Sequence, residues 1–347
     1  MDIGPNLSAK VATEIQMLTQ LKPHDRDTPG RLTTHVNDSG ENSLVLESSN
    51  LIRKLTPPYK DTQFEAFILR ELTVRKQQSR IQRTCNVETP DFLFYEPDAP
   101  SMFQQLGQSR VGGEKLSNDE VRNFSKAERR ALGQKLGRFV AYMAEALPRE
   151  RYDEILEQAG SPILFDRGEL IKDYFTYIQL LEDKHRNVGF QRPTTTPDSK
   201  EMHPTLVKML LWLKDTHEDL EARDLLCTPI IAHDDLRPAA NLTFRGPKGK
   251  RRLRGVIDFE YVRPMAPERA LRHIVPLGKE AINAAEEGYG QPLCRELLEF
   301  WATGQWVTTV AAYEKRLPET QELLDDAMFD LRALQPKRDW RGLAPTR

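Results

Sequence analysis

Two kinds of hydrophobic periodicity fill the first part of the chain. Residues 8–21 place apolar side chains at intervals of three and four, which predicts a short amphipathic helix. Three runs rich in β-branched and apolar residues follow, and the turn-forming stretches NDSGEN and SSN separate them. We therefore predict a β-meander of three strands, over residues 31–36, 43–47 and 50–55.

One helix and two further strands are predicted after the meander. Residues 63–78 contain neither Gly nor Pro and are rich in apolar side chains, so they predict a helix that packs on the strands. Residues 92–95 and 101–106 are strand-like, and Gly107 ends the second of these runs. Strands with a single helix thus fill about the first 107 residues.

Helices dominate the rest of the chain. The segment 125–147 opens with a capping box, Ser125 and Glu128, and repeats apolar residues on one face, which makes it the clearest helix in the sequence. Further helices are predicted for residues 169–185, for residues 204–223 and from residue 267 to the carboxyl end.

A strand-rich island interrupts the helical half. The run TPIIAH leads into the polar loop DDLRPAAN, and the runs LTFR and LRGVIDFEYV follow, joined by the turn GPKGKRR. Two apolar runs joined by a turn containing Gly and Lys predict a hairpin. Such a hairpin would return Asp258, near its end, to the loop that carries Asp234 and Asp235.

Composition narrows the class of protein. A chain of 347 residues that is 39% hydrophobic is long enough for one large core or two smaller ones. The 50 Lys and Arg residues nearly balance the 52 Asp and Glu residues, so no global field attracts nucleic acid or an anionic membrane. We expect neither as a partner, and the sequence leaves the oligomeric state open.

The cysteines and the amino terminus favour a cytoplasmic location. Cys85, Cys227 and Cys294 are odd in number and far apart, which indicates neither a disulfide framework nor a zinc site. The sequence MDIGPNLSAK lacks the basic and then apolar order of a secretory signal. No run approaches the roughly 18 apolar residues of a membrane span.

The loop and the hairpin end suit phosphoryl transfer, since one carboxylate can orient a hydroxyl while another holds Mg²⁺. The motif HDDLRP at 233–238, followed by IDFE at 257–260, resembles the catalytic loop and the metal-binding motif of the protein-kinase superfamily. Within that superfamily the loop is most similar to the aminoglycoside phosphotransferase and choline kinase branch, whose members phosphorylate small molecules.

This resemblance implies an α+β, protein-kinase-like fold of two lobes. Residues 1–107 would form a small β-rich lobe, with the amino-terminal helix, the meander, one helix and a hinge near residues 104–107. Residues 108–347 would form a larger, mainly helical lobe, which carries the catalytic loop 233–241 and the metal motif 257–260.

The resemblance also assigns roles in the loop. Asp235 would orient or deprotonate the acceptor hydroxyl, Arg237 would contact the transferred phosphate, and His233 would support the loop. Asp258 and Asn241 would hold Mg²⁺. The kinase pattern H-R-D-x-x-x-x-N places the asparagine five residues after the aspartate, whereas Asn241 comes one residue later. Either the loop bulges by one residue and Asn241 still reaches the metal, or that ligand is lost.

The amino-terminal part would supply a nucleotide-binding set. A kinase-like lobe needs a turn over the phosphates, a Lys on its third strand, a Glu on the next helix and a hinge near the adenine. Alternation along the strand does not fix which of two adjacent cations faces inward. The candidates are Ser39 and Gly40 for the turn, Lys54 in preference to Arg53, Glu71 in preference to Glu65, and Gln105 at the hinge.

The implied function is transfer of the γ-phosphate of ATP, with Mg²⁺, to a hydroxyl of a small molecule. The alternative is a kinase-like protein that has lost phosphoryl transfer and that binds a ligand or partner, or performs other chemistry. Several departures favour this alternative, among them the displaced Asn241 and a degenerate phosphate-covering turn. Asp234 stands where the branch usually has Gly, and Ala270 lies near the place where a further Asp usually braces the catalytic loop.

Overall fold

The chain is strand-rich at its amino-terminal end and mainly helical afterwards, as expected of the α+β class. The computed structural model describes residues 33–36, 44–47, 50–56, 62–76, 86–97, 104–160, 212–213, 215–227 and 229–313. The strands are β1 (Thr33–Val36), β2 (Leu44–Glu47), β3 (Leu51–Thr56), β4 (Phe92–Glu96), β5 (Gln104–Ser109), β6 (Ile230–His233), β7 (Leu242–Arg245), β8 (Arg252–Val256) and β9 (Val262–Met265). The helices are α1 (Thr62–Lys76), α2 (Asn118–Arg122), α3 (Lys126–Ala146), α4 (Arg149–Ala159), α5 (Pro238–Asn241), α6 (Pro267–Leu271), α7 (Lys279–Tyr289) and α8 (Arg295–Tyr313).

The chain divides into two compact units. The first comprises residues 1–73 and 90–110, and the second comprises residues 74–89 and 111–347. Glu88 ties its segment to the second unit, because its N–H donates to Arg254 O at 2.9 Å and its carbonyl accepts from Val256 N–H at 2.9 Å. The chain thus passes between the units at three places. Sequence analysis, by contrast, predicts a single boundary after residue 107.

Five antiparallel strands form the sheet of the first unit, in the order β1-β2-β3-β5-β4. The first three pair in sequence, which confirms the predicted meander. Lys54 lies on β3 opposite Val45 of β2 and Leu106 of β5. Helix α1 is joined to β4, since the Thr73 hydroxyl accepts a hydrogen bond from Phe92 N–H at 2.8 Å.

Helix α3 begins at the predicted capping box. Ser125 Oγ accepts from Glu128 N–H at 3.3 Å, and the Glu128 carboxylate accepts from Ser125 N–H at 2.9 Å. The second oxygen of Glu128 accepts from Arg251 N–H at 2.9 Å, which holds the hairpin turn against the helix start. The predicted apolar face of α3 is fully buried at Leu136 and Phe139.

The backbones of α3 and α7 pack directly against each other at three glycines, which we call the glycine seam: Gly133, Gly137 and Gly288. A Cβ atom at Gly133 would lie 2.0 Å from the carbonyl oxygen of Ala281, and one at Gly137 would lie 2.0 Å from that of Ala285. A Cβ atom at Gly288 would lie 2.1 Å from a carbonyl oxygen of α3. These positions therefore leave no room for a larger residue.

The predicted hairpin is present. Strands β7 and β8 are antiparallel with Leu242 opposite Val256, and Gly246 and Gly249 take positive φ angles of 97° and 83° in the turn between them. Strand β6 pairs with β9. The two strand pairs bring the loop 234–241 next to the segment 257–261, as hydrogen bonds between these stretches show.

Some predicted features lie outside the described residues: the helices 8–21 and 169–185, the turn with Ser39 and Gly40, and the chain beyond residue 313. The predicted helix 204–223 is helical at residues 215–222, the part of it that the structure describes most fully. Among the described helices, none combines the length and the hydropathy needed to cross a membrane.

Candidate active site

His233 joins the end of β6 to the segment before Asp258. Its side chain is fully buried, Nδ1 accepts from Asp235 N–H at 3.1 Å, and Nε2 lies 3.2 Å from Ile257 O. Because Nδ1 is an acceptor, the neutral ring carries its proton on Nε2 and donates it to that carbonyl. Burial lowers the pKa of His233, which keeps the ring neutral. His233 thus joins the start of the loop to the segment before Asp258.

Asp234 is the centre of a buried ionic group, which we call the Asp234 cluster: Asp234 with Arg263, Arg269 and Arg272. Its carboxylate lies 2.5 Å from Arg263, accepts two hydrogen bonds of 2.9 Å from Arg269, and accepts one of 2.7 Å from Arg272. Burial alone would raise the pKa of Asp234, but the charges of the three guanidinium groups hold it well below its usual range. Asp234 is therefore ionised inside the protein.

Asp235 carries the carboxylate assigned to the acceptor hydroxyl. Arg237 binds it with both arms of its guanidinium, since Nε donates to Oδ1 at 2.6 Å and Nη2 donates to Oδ2 at 2.7 Å. Asn241 Nδ2 donates to Oδ2 at 2.9 Å. Burial raises the pKa of Asp235, but the hydrogen bonds and charge of Arg237 outweigh it and lower the pKa to about 2. Asp235 is thus ionised at neutral pH and is a weak base.

The additional residue before Asn241 is taken up by the single helical turn α5. Pro238 starts this turn, where its fixed φ is favourable, and Asn241 N–H donates to Arg237 O at 3.0 Å. The Asn241 carbonyl accepts from Ile257 N–H at 2.9 Å, which links the turn to the segment before Asp258. Asn241 therefore stays beside Asp235 despite the longer spacing.

Asp258 has a left-handed backbone, with φ 68° and ψ 70°. Aspartate visits this region more often than most residues, but a strained position of this kind still costs about 1–3 kcal/mol and persists only where its surroundings fix it. Phe259, the next residue, is fully buried and packs edge-on against His233, with ring centres 5.1 Å apart. Burial dominates the pKa of His233, but the charges of Asp235 and Asp258 both act on it in the opposite direction. His233 thus links the backbone at Asp235 to the backbone just before Asp258.

The chain is similar over nearly its whole length to solved aminoglycoside phosphotransferases. The GDP and kanamycin complex of APH(2″)-IIIa covers 94% of this chain and 99% of its own, with 14% identity and a TM-score of 0.59. Spectinomycin phosphotransferase APH(9)-Ia, in complex with ADP and spectinomycin, covers 92% and 93%, with 15% identity and a TM-score of 0.58. The chain has the aminoglycoside phosphotransferase fold.

Another structure with this phosphotransferase fold, the streptomycin–ATP–APH(2″)-IIa ternary complex, covers 92% of this chain and 98% of its own, with 14% identity and a TM-score of 0.53. No protein-family model and no curated protein matches the sequence. The likeness to the aminoglycoside phosphotransferases is therefore one of fold.

In the first unit of this phosphotransferase fold, Lys54 pairs with a different glutamate from the one preferred in sequence analysis. Lys54 Nζ donates to both carboxylate oxygens of Glu65, at 2.9 and 3.0 Å. Glu71 comes six residues later on α1, about 120° around the helix axis from Glu65. The choice of Glu71 as the partner of Lys54 was wrong, and the alternative, Glu65, holds the lysine. The competing cation, Arg53, lies over the ring of Phe94, 5.7 Å from its centre.

The predicted hinge near residues 104–107 is part of a central strand. Gln105 on β5 lies between Leu55 of β3 and Glu96 of β4. A strand with neighbours on both sides uses most of its N–H and C=O groups in the two ladders, so few of these groups are left for a ligand. The contact of Gln105 with the nucleotide stays a prediction. The other phosphate-turn candidates, Ser39 and Gly40, lie outside the described residues.

Sequence analysis missed the cations around the two aspartates of the loop. Arg263, Arg269 and Arg272 bind Asp234, and His273 Nε2 lies 3.8 Å from Asp235 Oδ1. A usable signal was present, because these arginines stand among apolar residues in VRPMAPERALRHIV. An arginine that is drawn into a core with its neighbours needs a carboxylate there.

Proposed function

We propose that this protein transfers the γ-phosphate of ATP, with Mg²⁺, to a hydroxyl group of a small molecule. The observation that carries the proposal is the arrangement of Asp235. Its carboxylate is bound by Arg237 and Asn241, and its N–H donates to His233 Nδ1. The other nitrogen of His233 contacts the carbonyl of Ile257, which precedes the left-handed Asp258. Few roles other than phosphoryl transfer need two carboxylates and an amide held in this order.

The donor set around the loop suits Mg²⁺, which prefers one or two carboxylates with other oxygen ligands and phosphate oxygens. Asp258 supplies a carboxylate. Asn241 Nδ2 is used by Asp235, so Oδ1 is the atom of this amide that would bind a cation. When bound, Mg²⁺ would neutralise charge on the phosphoryl group that moves.

Asp235 would act by orientation more than by proton abstraction. A carboxylate with a pKa of about 2 is a weak base at neutral pH. Phosphoryl transfer through a loose transition state needs little proton removal before the bond to phosphorus forms. The Asp235 carboxylate would therefore accept a hydrogen bond from the acceptor hydroxyl and aim its oxygen, and the proton would leave late.

Two cations would bind phosphate oxygens. The Arg237 side chain is 43% exposed, although it holds Asp235, so its guanidinium is accessible to an incoming phosphate. Lys54, fixed by Glu65 in the first unit, is a donor of the type that binds α- and β-phosphates in this fold class. A guanidinium in contact with both Asp235 and phosphate would neutralise charge that develops during transfer.

A thermal-shift comparison tests nucleotide and metal binding without knowledge of the acceptor. A ligand that binds only the folded protein raises its apparent stability, by about 2.7 kcal/mol at a concentration about 100 times Kd. ATP with Mg²⁺ is expected to raise Tm, and ATP with EDTA is expected to raise it less. The absence of any magnesium-dependent shift would contradict the proposal.

ADP release with a panel of hydroxylated acceptors tests the transfer itself. Kanamycin, spectinomycin and streptomycin belong in the panel because solved structures with this fold hold them, and amino alcohols and sugars extend it. Asp235→Asn should abolish ADP release and keep the fold. The matched control is Asp153→Asn, which alters an exposed Asp paired with Arg149 and should leave the rate unchanged.

One observation favours a second candidate function, binding of a nucleotide or small ligand without transfer. Both oxygens of Asp235 already accept hydrogen bonds, from Arg237 and Asn241, and these bonds compete with a substrate hydroxyl. A magnesium-dependent shift in Tm together with no ADP release from any acceptor would support this second function over the first.

A further inference from the structure

The Asp234 cluster gathers four structural elements around one carboxylate. Arg263 comes from β9, Arg269 from α6, and Arg272 from the 3-10 turn Arg272–Leu277 that follows α6. Asp234 itself follows directly after β6. The cluster therefore joins the catalytic loop to the chain that comes after the metal motif.

Two of the arginines extend this link to helix α8. The Arg269 guanidinium lies over the Trp301 ring, 4.7 Å from its centre. Arg272 donates to Gln305 Oε1 at 3.1 and 2.9 Å and also to Arg269 O at 2.7 Å. Because a guanidinium is a planar donor with fixed directions, these contacts restrict where Asp234 can lie.

Asp234 is held through its backbone as well as its side chain. Its N–H donates to Tyr261 O at 2.8 Å, while its side chain is only 3% exposed and accepts hydrogen bonds from charged donors. Hydrogen bonds between ionised partners are roughly twice as strong as neutral ones. The residue immediately before Asp235 is thus among the most tightly fixed points of the loop.

We propose that Asp234 is a positioning residue, which acts through its three arginines to fix the loop so that the Asp235 carboxylate meets the acceptor in one orientation. The role rests on the proposed phosphoryl transfer. In the related kinases, an acidic residue after the metal motif is expected to hold the catalytic loop, and Ala270 stands near that place here. In this protein the charges are reversed. The carboxylate is on the loop, and the arginines are on β9, on α6 and in the turn that follows α6.

Two substitutions separate positioning from simple stability. Asp234→Asn removes the charge that the three arginines share, and a buried cluster treated in this way can fail to fold. Arg269→Gln is milder, because Asp234 keeps Arg263 and Arg272 as partners. The matched controls are Asp219→Asn and Arg223→Gln, which break an exposed Asp–Arg pair with an N–O distance of 2.8 Å. Arg223→Gln also removes an exposed pair with Glu296, so Asp219→Asn is the simpler control.

The first measurement is hydrogen exchange of full-length protein, followed by mass spectrometry. Peptides that cover residues 234–241 should exchange faster in Arg269→Gln and in folded Asp234→Asn, while peptides from α3 should exchange as in the wild type. The control variants should leave both regions unchanged. Unchanged exchange at residues 234–241 in folded Arg269→Gln would overturn the proposal, whatever the enzyme does.

The second measurement is the split between kcat and KM in the ADP-release assay. A displacement of the reacting group by about 1 Å can cost about 100-fold in rate, so the variants should lose about 10-fold or more in kcat, with KM for ATP nearly unchanged. A variant that raises KM for ATP and keeps kcat would contradict positioning of Asp235. If the wild type transfers no phosphate to any acceptor, the proposed function fails, and the exchange data still decide whether the cluster holds the loop.

Discussion

Asn241 donates its side-chain amide to both the main-chain carbonyl and the carboxylate of Asp235, at 2.9 Å in each case. Asn241 comes six residues after Asp235, one more than in the usual kinase pattern. In an extended chain this additional residue would move Asn241 away from Asp235. The turn α5 shortens the path, since an α-helix rises only about 1.5 Å per residue, against about 3.3 Å in a strand. The helical turn thus keeps Asn241 within hydrogen-bond distance of Asp235 despite the additional residue.

Removal of the Asn241 amide is expected to lower both stability and activity. Asn241→Ala leaves the Asp235 carbonyl and carboxylate without this donor, which costs about 1–3 kcal/mol for buried polar groups. Urea unfolding and ADP release would measure the two effects. Asn283→Ala, at an exposed amide on α7, serves as control and should change the free energy of unfolding by less than about 0.5 kcal/mol. If Asn241→Ala lowers the free energy of unfolding no more than the control does, the hydrogen bonds from Asn241 to Asp235 do not stabilise the fold.

Asp235 should make the fold acid-labile. Its pKa is about 2 in the folded protein, below its ordinary value of 3.8. Because the folded pKa is the lower one, ionised Asp235 stabilises the fold above about pH 4, and this contribution disappears as the pH falls towards about 2. The full effect is worth about 2 kcal/mol. The stability gap between the wild type and Asp235→Asn, measured by urea unfolding from about pH 6 down to about pH 3, should therefore narrow.

The matched variant for this pH series is Asp153→Asn, since Asp153 is half-exposed in a surface pair with Arg149. Exposed pairs contribute little, so its gap from the wild type should stay small across the series. A gap for Asp235→Asn that is equally constant would mean that Arg237 does not depress the Asp235 pKa.

The identity of the glutamate that holds Lys54 can be tested by nucleotide affinity. Glu65→Gln removes a charged acceptor that binds Lys54 through both oxygens, and loss of such hydrogen bonds costs about 1.5–3 kcal/mol. If Lys54 binds phosphate, Kd for ATP with Mg²⁺ should rise about 10-fold or more, measured by calorimetry. Glu71→Gln, on another face of α1, should raise it less. The reverse order would restore Glu71 as the functional partner.

Alanine at the glycine seam should destabilise the protein, although Gly→Ala in a helix interior normally stabilises by about 0.5–1 kcal/mol. At Gly133 and Gly137 the new Cβ would lie 2.0 Å from a carbonyl oxygen of α7, and the helices would have to move apart. We expect each substitution to cost about 1–3 kcal/mol in thermal or urea unfolding. Gly112→Ala is the control, because its Cβ would meet no atom closer than 3.5 Å. Stabilisation by Gly133→Ala would show that α3 and α7 are further apart than described.

Local patterns predicted the parts of the fold that depend on local sequence. The capping box at Ser125, the meander and the hairpin with Gly246 and Gly249 depend on residues a few positions apart, and each is present. The hairpin also predicted that the loop with Asp235 lies next to the segment with Asp258, and hydrogen bonds join these two stretches. Their signal lies in two short runs of the sequence, HDDLRP and IDFE.

The features that the sequence did not predict share one physical cause. Each depends on contacts between residues that are far apart in the sequence. The choice between Glu65 and Glu71 depends on how α1 is rotated against the sheet, and one sequence does not fix that rotation. The predicted hinge at Gln105 lies within a strand, because β3 and β4 pair with this strand on either side. The Asp234 cluster joins residues 35 and 38 positions apart, which no local window contains.

The bridge between Glu88 and β8 determines how this protein can be divided. A fragment that begins at residue 108 would keep β8 but lose the segment whose backbone bonds to Arg254 and Val256. Residues 90–110, by contrast, form an excursion of the chain that starts and ends in the second unit. Autonomous expression of the helical part would therefore call for residues 74–89 to be retained and for the excursion to be replaced by a short linker. A simple truncation would expose two backbone groups of a strand that borders the metal motif.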